Sequence, residues 1–277
     1  MPLPTVVIPV FNAFDLLGPC LDSVSRTVPP DTAVLVIDDA STDERVRPLL
    51  QAWVDGAKPF RRLIIQPENR GFVATANLGM RLAGHDLVLL NSDTLVTRGW
   101  LQNLADCLGS DNTIATATPW SNNGEIVSIP DFCKANPVPG NADAVANGIK
   151  SCGRPAYPDI PTAVGFCMAI SKHAIERIGL FDETTFGRGY GEENDFCMRA
   201  EQAGMRNVLC DDTYVVHHGG ASFGPLDLKP DDKTMQRLLD KHPDYLDKVM
   251  AFIGADPLAS RRRQILECLE RTGVGMR

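Results

Sequence analysis

The first third of the chain contains four short, continuous apolar runs separated by segments with the hydrophobic spacing of a helix. Uninterrupted apolar strands that alternate with helices are typical of a parallel sheet covered by helices on both faces. The sequence therefore predicts an α/β fold, and in such a fold ligands bind at the carboxyl ends of the strands. The predicted strands are residues 5–10, 33–37, 63–65 and 86–90, and the predicted helices are residues 15–26, a segment ending near Val54, and residues 72–82.

The pattern changes near Ser121. Residues 121–161 are rich in Asn, Gly and Pro, which predicts a long loop with one short helix at residues 142–149. From Asp231 the pattern is helical, with Pro243 and Pro257 as helix boundaries. Between these regions the sequence predicts a strand at residues 163–170, a short helix from Lys172, an acidic helix at residues 193–203 and a strand at residues 214–217. We expect both halves to share one sheet.

Charge and cysteine content narrow the class of protein. A formal charge of -8 and a pI near 5.1 argue against a nucleic-acid partner, which requires a basic face. No apolar run reaches the length of a membrane span, and the N-terminus does not resemble a secretory signal. We therefore expect a cytoplasmic location, with peripheral association at the inner face of the membrane left open. The eight cysteines contain no CxxC pair, which favours free core thiols, with a Cys133–Cys152 disulfide as the alternative.

Polar residues follow the predicted strands where a ligand would bind. The first strand ends in Pro9-Val10-Phe11-Asn12, without the glycines of a dinucleotide-binding turn. The second ends in Asp38-Asp39, and two acids exceed the need of a helix cap. A carboxylate here could accept hydrogen bonds from a base or a ribose, and ordinary turn chemistry is the alternative.

Further along the chain, Asn69-Arg70-Gly71-Phe72 follows the third strand and Asn91-Ser92-Asp93 follows the fourth. An acid at the end of a buried strand is a natural ligand for a hard cation bound to phosphate, although Asp93 could also cap a helix. His217 ends a later strand, where it is either a hydrogen-bonded structural residue or a metal ligand.

Three acids, Glu192, Glu193 and Asp195, stand at the head of the acidic helix behind a Gly-Tyr-Gly turn. A helix N-terminus favours negative charge, so the cluster could be ordinary first-turn chemistry. Mutual repulsion would also raise at least one proton affinity, which is how a carboxylate becomes a general base.

Taken in order, these motifs resemble family 2 of the nucleotide-sugar glycosyltransferases over roughly residues 4–225. The resemblance is carried by residues 7–12 (VIPVFN), 37–43 (IDDASTD), 69–72 (NRGF), 91–93 (NSD) and 191–195 (GEEND), followed by His217. Residues 121–123 (SNN) and 165–168 (GFCM) are similar to the bacterial O-antigen, capsule and rhamnosyl-type transferases. The resemblance implies a GT-A fold, in which a Rossmann-like nucleotide-binding half (residues 1–118) is fused to a mixed-sheet acceptor half (residues 119–225), with a C-terminal helical extension (residues 226–277).

The resemblance also implies roles for single residues. Asp39 matches the aspartate that contacts the pyrimidine, and Asp93 the last acid of an Asp-x-Asp metal motif whose first position is here Asn91. Asp93 and His217 would hold Mn²⁺ or Mg²⁺ with the donor diphosphate. The predicted nucleotide-binding residues are Pro9, Val10, Phe11, Asn12, Asp38, Asp39, Asn69, Gly71, Phe72, Asn77, Asn91, Ser92 and Asp93.

Glu193 matches the catalytic base, with Glu192 and Asp195 as alternatives, and the predicted acceptor-binding residues are Trp120, Asn122, Asn123 and Tyr190. The implied activity is inverting transfer from a UDP- or dTDP-linked sugar to a hydroxyl of a glycan or lipid-linked glycan, in the synthesis of bacterial surface polysaccharide. One alternative is a sugar-phosphate nucleotidyltransferase, which would carry a glycine-rich basic loop that is absent from residues 9–15. The other is a non-catalytic nucleotide-sugar binding module, which would not need the acid cluster.

Overall fold

The structure, a computed structural model, describes residues 2–56, 60–219 and 232–276. Within these ranges the chain forms a sheet of eight strands. They are β1 (Thr5–Val10), β2 (Val34–Asp38), β3 (Arg61–Ile65), β4 (Leu87–Leu90), β5 (Thr94–Val96), β6 (Ile114–Trp120), β7 (Cys167–Ile170) and β8 (Arg206–His217). Their order across the sheet is β3-β2-β1-β4-β7-β6-β8-β5.

The sheet is parallel in its first half and mixed in its second. Strands β3, β2, β1 and β4 are parallel, β7 is antiparallel to both β4 and β6, and β8 runs parallel to β6. The sequence did not predict β5 or β6, and it underestimated the length of β8. β6 reads IATATPW, in which small residues and threonines weaken the apolar signal although every position is buried.

Helices cover both faces of the sheet. One core cluster includes Leu17, Trp100 and Ile265, and the other includes Val73 and Phe196 on the opposite face. Within the described ranges, no helix has the length and apolar character needed to cross a membrane. The helices are α1 (Phe14–Thr27), α2 (Val46–Asp55), α3 (Phe72–Ala83), α4 (Trp100–Ser110), α5 (Ala142–Ser151), α6 (Lys172–Ile178), α7 (Glu183–Phe186), α8 (Glu192–Gln202), α9 (Asp232–Lys241), α10 (Tyr245–Ala255) and α11 (Ala259–Arg271), with a 3-10 turn at Glu125–Val127.

The strand order places a binding crevice at one point of the sheet. β1 pairs with β2 on one side and with β4 on the other, so the order reverses between β1 and β4. In open α/β sheets, ligands bind at the carboxyl ends of the strands beside such a reversal. β5 pairs with β8 in a register that sets Thr94 opposite His217. The end of β8 therefore lies beside the residues that follow β4.

The cysteines agree with the expectations only in part. Five are free and buried in the core, as expected, namely Cys20, Cys107, Cys167, Cys197 and Cys210. Cys152, at the end of α5, forms a disulfide with Cys268 in α11, with a Cα–Cα distance of 5.9 Å. Cys133 is free and exposed, so the Cys133–Cys152 alternative is wrong. The observed pairing joins positions 116 residues apart, because α11 packs across α5 at Gly148 and Leu269. Local sequence carries no signal for a contact of this range.

Candidate active site

A cavity of about 320 Å³ opens where β4, β8, α8 and the loop after β6 meet. Four carboxylates and one imidazole line it, together with aromatic and amide side chains. The lining residues are Phe72, Asn91, Asp93, Asn123, Glu125, Val164, Gly165, Phe166, Tyr190, Glu192, Glu193, His217 and Gly219. The cavity thus unites predicted metal-binding, catalytic and acceptor-binding residues that are distant in sequence.

Glu192 and Glu193 occupy the first two positions of α8. Glu192 is 4% exposed, whereas Glu193 is partly exposed at the cavity wall. Burial, and then the charge of Glu193, raises the pKa of Glu192 well above its ordinary value. Burial also raises the pKa of Glu193, but this effect is opposed by backbone N–H groups and by a hydrogen bond with Glu192. The pKa of Glu192 is thus raised further than that of Glu193, so Glu193 is the carboxyl of the pair that ionises more readily.

A tight turn brings this pair to the cavity. Tyr190 and Gly191 both have left-handed backbone angles, with φ of 69° and 88°. A Cβ on Gly191 would lie 2.9 Å from the ring of Phe186, so only glycine fits there without a shift. The turn also points Tyr190 into the cavity wall, beside both glutamates.

Asp93 and His217 face each other across the same cavity. Asp93 Oδ2 lies 3.6 Å from His217 Nε2, and His217 Nδ1 donates a hydrogen bond to the carbonyl of Asn123 at 2.6 Å. The ring of His217 stacks on Phe166 with centroids 5.1 Å apart. Burial opposes the charged imidazolium, but the nearby carboxylate of Asp93 outweighs it and raises the pKa of His217.

This pair has the chemistry of a partial metal site. A neutral histidine that donates Nδ1–H to a carbonyl presents its Nε2 lone pair, as metal-bound histidines do. Within the described ranges, no group of three or more His, Cys, Asp or Glu side chains is placed to hold a metal. A divalent cation held by Asp93 and His217 would need its remaining ligands from phosphate oxygens and water.

Asp39 lies at the end of β2, where it orders the neighbouring turn. Its carboxylate accepts hydrogen bonds from Gln66 Nε2 at 2.7 Å and from the backbone N–H groups of Arg70 and Gly71, both at 2.8 Å. Burial raises the pKa of Asp39, opposed by these two backbone bonds. Asp39, which was predicted to contact the pyrimidine, thus also has a structural role that the sequence did not reveal.

The turn at residues 69–72 also contacts the loop before α8. Phe72 N–H donates to the carbonyl of Arg188 at 3.1 Å, and the guanidinium of Arg188 donates to Asn69. A Cβ on Gly71 would lie 2.7 Å from Arg188 Cα, so this close approach requires glycine. The predicted nucleotide-binding half is therefore joined directly to the loop that carries Tyr190.

Other nucleotide-binding candidates order the loops at the strand ends. Asn12 Oδ1 accepts from the backbone N–H groups of Thr42 and Asp43, at 2.9 and 3.0 Å. Asp38 Oδ1 accepts from Ser41 N–H at 2.9 Å. Pro9 and Val10 are buried within β1, Ser92 is 1% exposed, and Phe11 is partly exposed.

Four candidates have structural roles instead. Trp120 is fully buried and donates to the carbonyl of Asp211. Asn122 is 2% exposed, and its amide bonds the backbone of Asn136 and His217.

Asn77 and Asp195 likewise lie outside the cavity lining. The amide of Asn77 bonds Phe181 and Glu183, which fixes α3 to the segment before α7. Asp195 is fully buried, and burial opposes its charge, but Lys241, His242 and Arg199 lower its pKa below the ordinary value. A carboxylate held in this way is unsuited to act as a base, so Asp195 is removed from the catalytic candidates.

Glu125 and Arg188 were not predicted as site residues from the sequence. Glu125 lines the cavity from the 3-10 turn with a left-handed φ of 50°, and its charge contributes to the raised pKa of Glu193. An acid directly after Ser-Asn-Asn-Gly was the available signal for Glu125. Arg188 stands between two glycines in a turn, and its neighbour Asn69 is 119 positions away in sequence.

The family model for glycosyl transferase family 2 matches residues 5–179. Polypeptide N-acetylgalactosaminyltransferase 6 of Mus musculus is 30% identical over 228 residues, covering 73% of this chain and 35% of that protein. The chain spans between 14% and 55% of the length of the curated relatives it matches. This chain belongs to glycosyl transferase family 2.

Solved structures show the same fold. GalNAc-T7 with UDP, GalNAc and Mn²⁺ superposes with a TM-score of 0.63 at 15% identity, covering 92% of this chain and 58% of that one. The mannosyltransferase PcManGT from Pyrobaculum calidifontis, in complex with GDP-Man and Mn²⁺, gives a TM-score of 0.60 at 18% identity, covering 98% and 75%. The fold is therefore GT-A, a mixed α/β sheet with C-terminal helices, as predicted.

Proposed function

We propose that this protein is an inverting glycosyltransferase that moves a sugar from a pyrimidine nucleoside diphosphate sugar to a hydroxyl of a glycan or lipid-linked glycan. The observation that carries the proposal is the cavity itself, where the Glu192–Glu193 pair and the Asp93–His217 pair face one space beside the reversal of strand order. A transferase needs a base for the acceptor and a cation site for the leaving diphosphate, and the two pairs supply these chemistries.

The donor occupies the ends of β1, β2 and β4 in this proposal. Asp39 accepts a hydrogen bond from the N3–H of uracil or thymine, next to the partly exposed Phe11. Asp93 and His217 would hold Mn²⁺ or Mg²⁺, which when bound would stabilise negative charge on the leaving diphosphate. Support comes from the family membership and from structural neighbours that bind UDP, UDP-GlcNAc or GDP-Man.

Catalysis then requires one proton transfer by the chain. Glu193 accepts the proton of the acceptor hydroxyl as that oxygen attacks the anomeric carbon. The C–O bond to the diphosphate breaks on the opposite face of the sugar, so the anomeric configuration inverts. Glu192, whose pKa is raised further, would hold a proton more tightly, and its hydrogen bond favours the ionised form of Glu193.

The acceptor approaches past Asn123, Glu125 and Tyr190, which line the cavity on the side of α8. Amides and carboxylates bind sugar hydroxyls, and a tyrosine face can stack on a pyranose ring. A role in bacterial surface polysaccharide, with the acceptor carried on a lipid at the inner face of the membrane, rests on the sequence resemblance. The predicted division into residues 1–118, 119–225 and 226–277 is part of the same proposal.

The decisive experiment incubates the protein with Mn²⁺ and a panel of UDP-, dTDP- and GDP-linked sugars, and detects the nucleoside diphosphate released in the presence of glycan acceptors. Release from a UDP- or dTDP-sugar that depends on the acceptor supports the proposal, and NMR of the product gives its anomeric configuration. Release from GDP-sugars alone contradicts the pyrimidine assignment. Formation of a nucleotide sugar from a sugar phosphate and a nucleoside triphosphate would instead identify a nucleotidyltransferase.

A further inference from the structure

We propose that α9 is a positioning element for the catalytic carboxylates, acting through Lys241, His242 and the buried Asp195. Lys241 is the last residue of α9, and His242 follows it. The inference rests on the proposed function, because it concerns the placement of Glu193 as the base. It assigns a catalytic contribution to a C-terminal segment that lies beyond the matched family region of residues 5–179.

Asp195 connects α9 to the first turn of α8. Its Oδ1 accepts hydrogen bonds from Lys241 Nζ at 2.6 Å and from His242 Nε2 at 2.9 Å. Its Oδ2 accepts from Arg199 Nε at 2.8 Å. The Asp195 backbone N–H donates to the carbonyl of Gly191 at 2.9 Å, closing the turn that carries Glu192 and Glu193. A displacement of Asp195 therefore shifts the turn that holds Glu193, the proposed base.

The supporting residues are themselves held in place. Gln202 Nε2 lies 3.3 Å from His242 Nδ1, so the ring hydrogen on Nε2 is directed at Asp195. The guanidinium of Arg199 also bonds the carbonyls of Ile178 and Leu180. Arg199 and His242 thus each have a second partner, which fixes the direction in which they donate to Asp195.

α9 also contacts the loop that precedes the catalytic turn. Lys241 Nζ donates to Asp182 at 2.8 Å, at the start of α7, and lies 5.5 Å from the ring centroid of Phe186. The methyl group of Thr234 lies 3.6 Å from where a Cβ on Gly191 would stand. α9 therefore contacts both ends of the loop between α7 and α8.

The opposite end of α8 provides a matched comparison. There Lys248 of α10 pairs with Glu201 at 2.8 Å and with Asp244 at 3.0 Å. This pair also ties a C-terminal helix to α8, but it lies at the exposed end, away from the cavity. Exposed ion pairs contribute little to stability. Removing Lys248 therefore serves as a control, because it breaks a contact between a C-terminal helix and α8 that does not reach Glu193.

The experiment compares Lys241→Met, Lys241→Arg, His242→Gln and Lys248→Met in the full chain. We expect kcat to fall about 10- to 100-fold in Lys241→Met, because a displacement of about 1 Å at a reacting group has that effect. The dissociation constant for UDP should stay within about twofold, because Asp39 and Asp93 lie on other elements. Lys241→Arg should recover most of kcat, and Lys248→Met should match the wild type.

Each outcome decides the proposal. A fall in kcat for Lys241→Met no larger than for Lys248→Met overturns it. An equal loss of UDP affinity also overturns it, because it would indicate general loosening of the fold. Lys241 is partly exposed and methionine keeps its aliphatic stem, so this variant remains informative even if His242→Gln fails to fold. Absence of transfer by the wild type would contradict the proposed function, not this inference.

Discussion

Glu192 and Glu193 are hydrogen-bonded neighbours at the start of α8, and they differ in burial and in proton affinity. Glu192 is 4% exposed and has a pKa well above its ordinary value, caused first by burial and then by the charge of Glu193. Two adjacent carboxyls whose environments separate their pKa values can act as one proton holder and one base. The first two predictions test this division of roles.

Glu193→Gln should abolish most of the transfer while leaving donor binding intact. Loss of a general base lowers the rate by about 10²- to 10⁴-fold, and the amide keeps the size of the side chain. The measurements are kcat with saturating donor and acceptor, and UDP affinity by calorimetry. Glu201→Gln, at the far end of α8, is the control. Turnover of Glu193→Gln close to that of the control would exclude Glu193 as the base.

The pH dependence of kcat/KM should report the raised pKa of Glu193. Burial raises this pKa above the ordinary value of 4.5. As pH falls, Glu193 should therefore become protonated, and activity should be lost, at a pH higher than 4.5. The hydrogen bond with Glu192 lowers the pKa of Glu193. Glu192→Leu removes the bond and should shift the acid limb to higher pH, whereas Glu192→Gln retains a donor and should leave the limb in place. A shift to lower pH in Glu192→Leu would contradict the assignment.

Transfer should require a divalent cation held by Asp93 and His217. A chelator should abolish activity, and Mn²⁺ or Mg²⁺ should restore it. Asp93→Asn should raise the cation concentration needed for half activity by at least about tenfold, a change that even supporting residues of metal sites produce. Asp43→Asn, which changes a partly buried carboxylate outside the cavity lining, is the control. Full activity in excess chelator would recast Asp93 as a sugar or ribose ligand.

The sequence predicted the fold well because its strongest signals are local. Continuous apolar runs and the hydrophobic spacing of helices predicted β1 to β4 and α1 to α3 to within a few residues. β6 escaped detection because alternating Ala and Thr look polar until neighbouring strands bury them. The Cys152–Cys268 bond and the contacts of Asp195 with Lys241 depend on packing between distant helices, which one sequence does not encode locally.

The candidate site could likewise be predicted only in part, because motifs give the position of a residue but not its packing. Motifs located Asp93, Glu193 and His217 at the ends of their elements, and the structure brings all three to one cavity. Trp120 and Asn122 lie at the end of β6 and directly after it, beside Asn123, but the direction of a side chain depends on the packing around it. Both are buried and bonded to backbone. Motif position alone could not separate them from Asn123.

Asp39→Ala should weaken UDP binding by about 1.5–3 kcal/mol, the range for a hydrogen bond to a charged group. Because Asp39 also bonds Gln66, Arg70 and Gly71, the variant could act by disordering the turn at residues 69–72. Comparing UDP with GDP separates the two effects by calorimetry. A loss confined to UDP supports recognition of the pyrimidine. An equal loss for both nucleotides would reduce Asp39 to a structural role, and tighter binding of GDP by the wild type would reject the pyrimidine donor.

We expect Asn123, Glu125 and Tyr190 to contribute to acceptor binding, whereas Asn122 should contribute to the stability of the fold. The first three line the cavity beside Glu193, so Asn123→Ala, Glu125→Gln and Tyr190→Ala should each raise the acceptor KM by about tenfold, the equivalent of one hydrogen bond or stacking contact. The donor KM should not change. Asn122→Ala leaves buried backbone groups unpaired, so it should lower the free energy of unfolding by about 1–3 kcal/mol. Steady-state kinetics with donor saturating, combined with denaturant unfolding of all four variants, distinguishes these effects. An unchanged acceptor KM in all three cavity variants would show that the acceptor binds elsewhere.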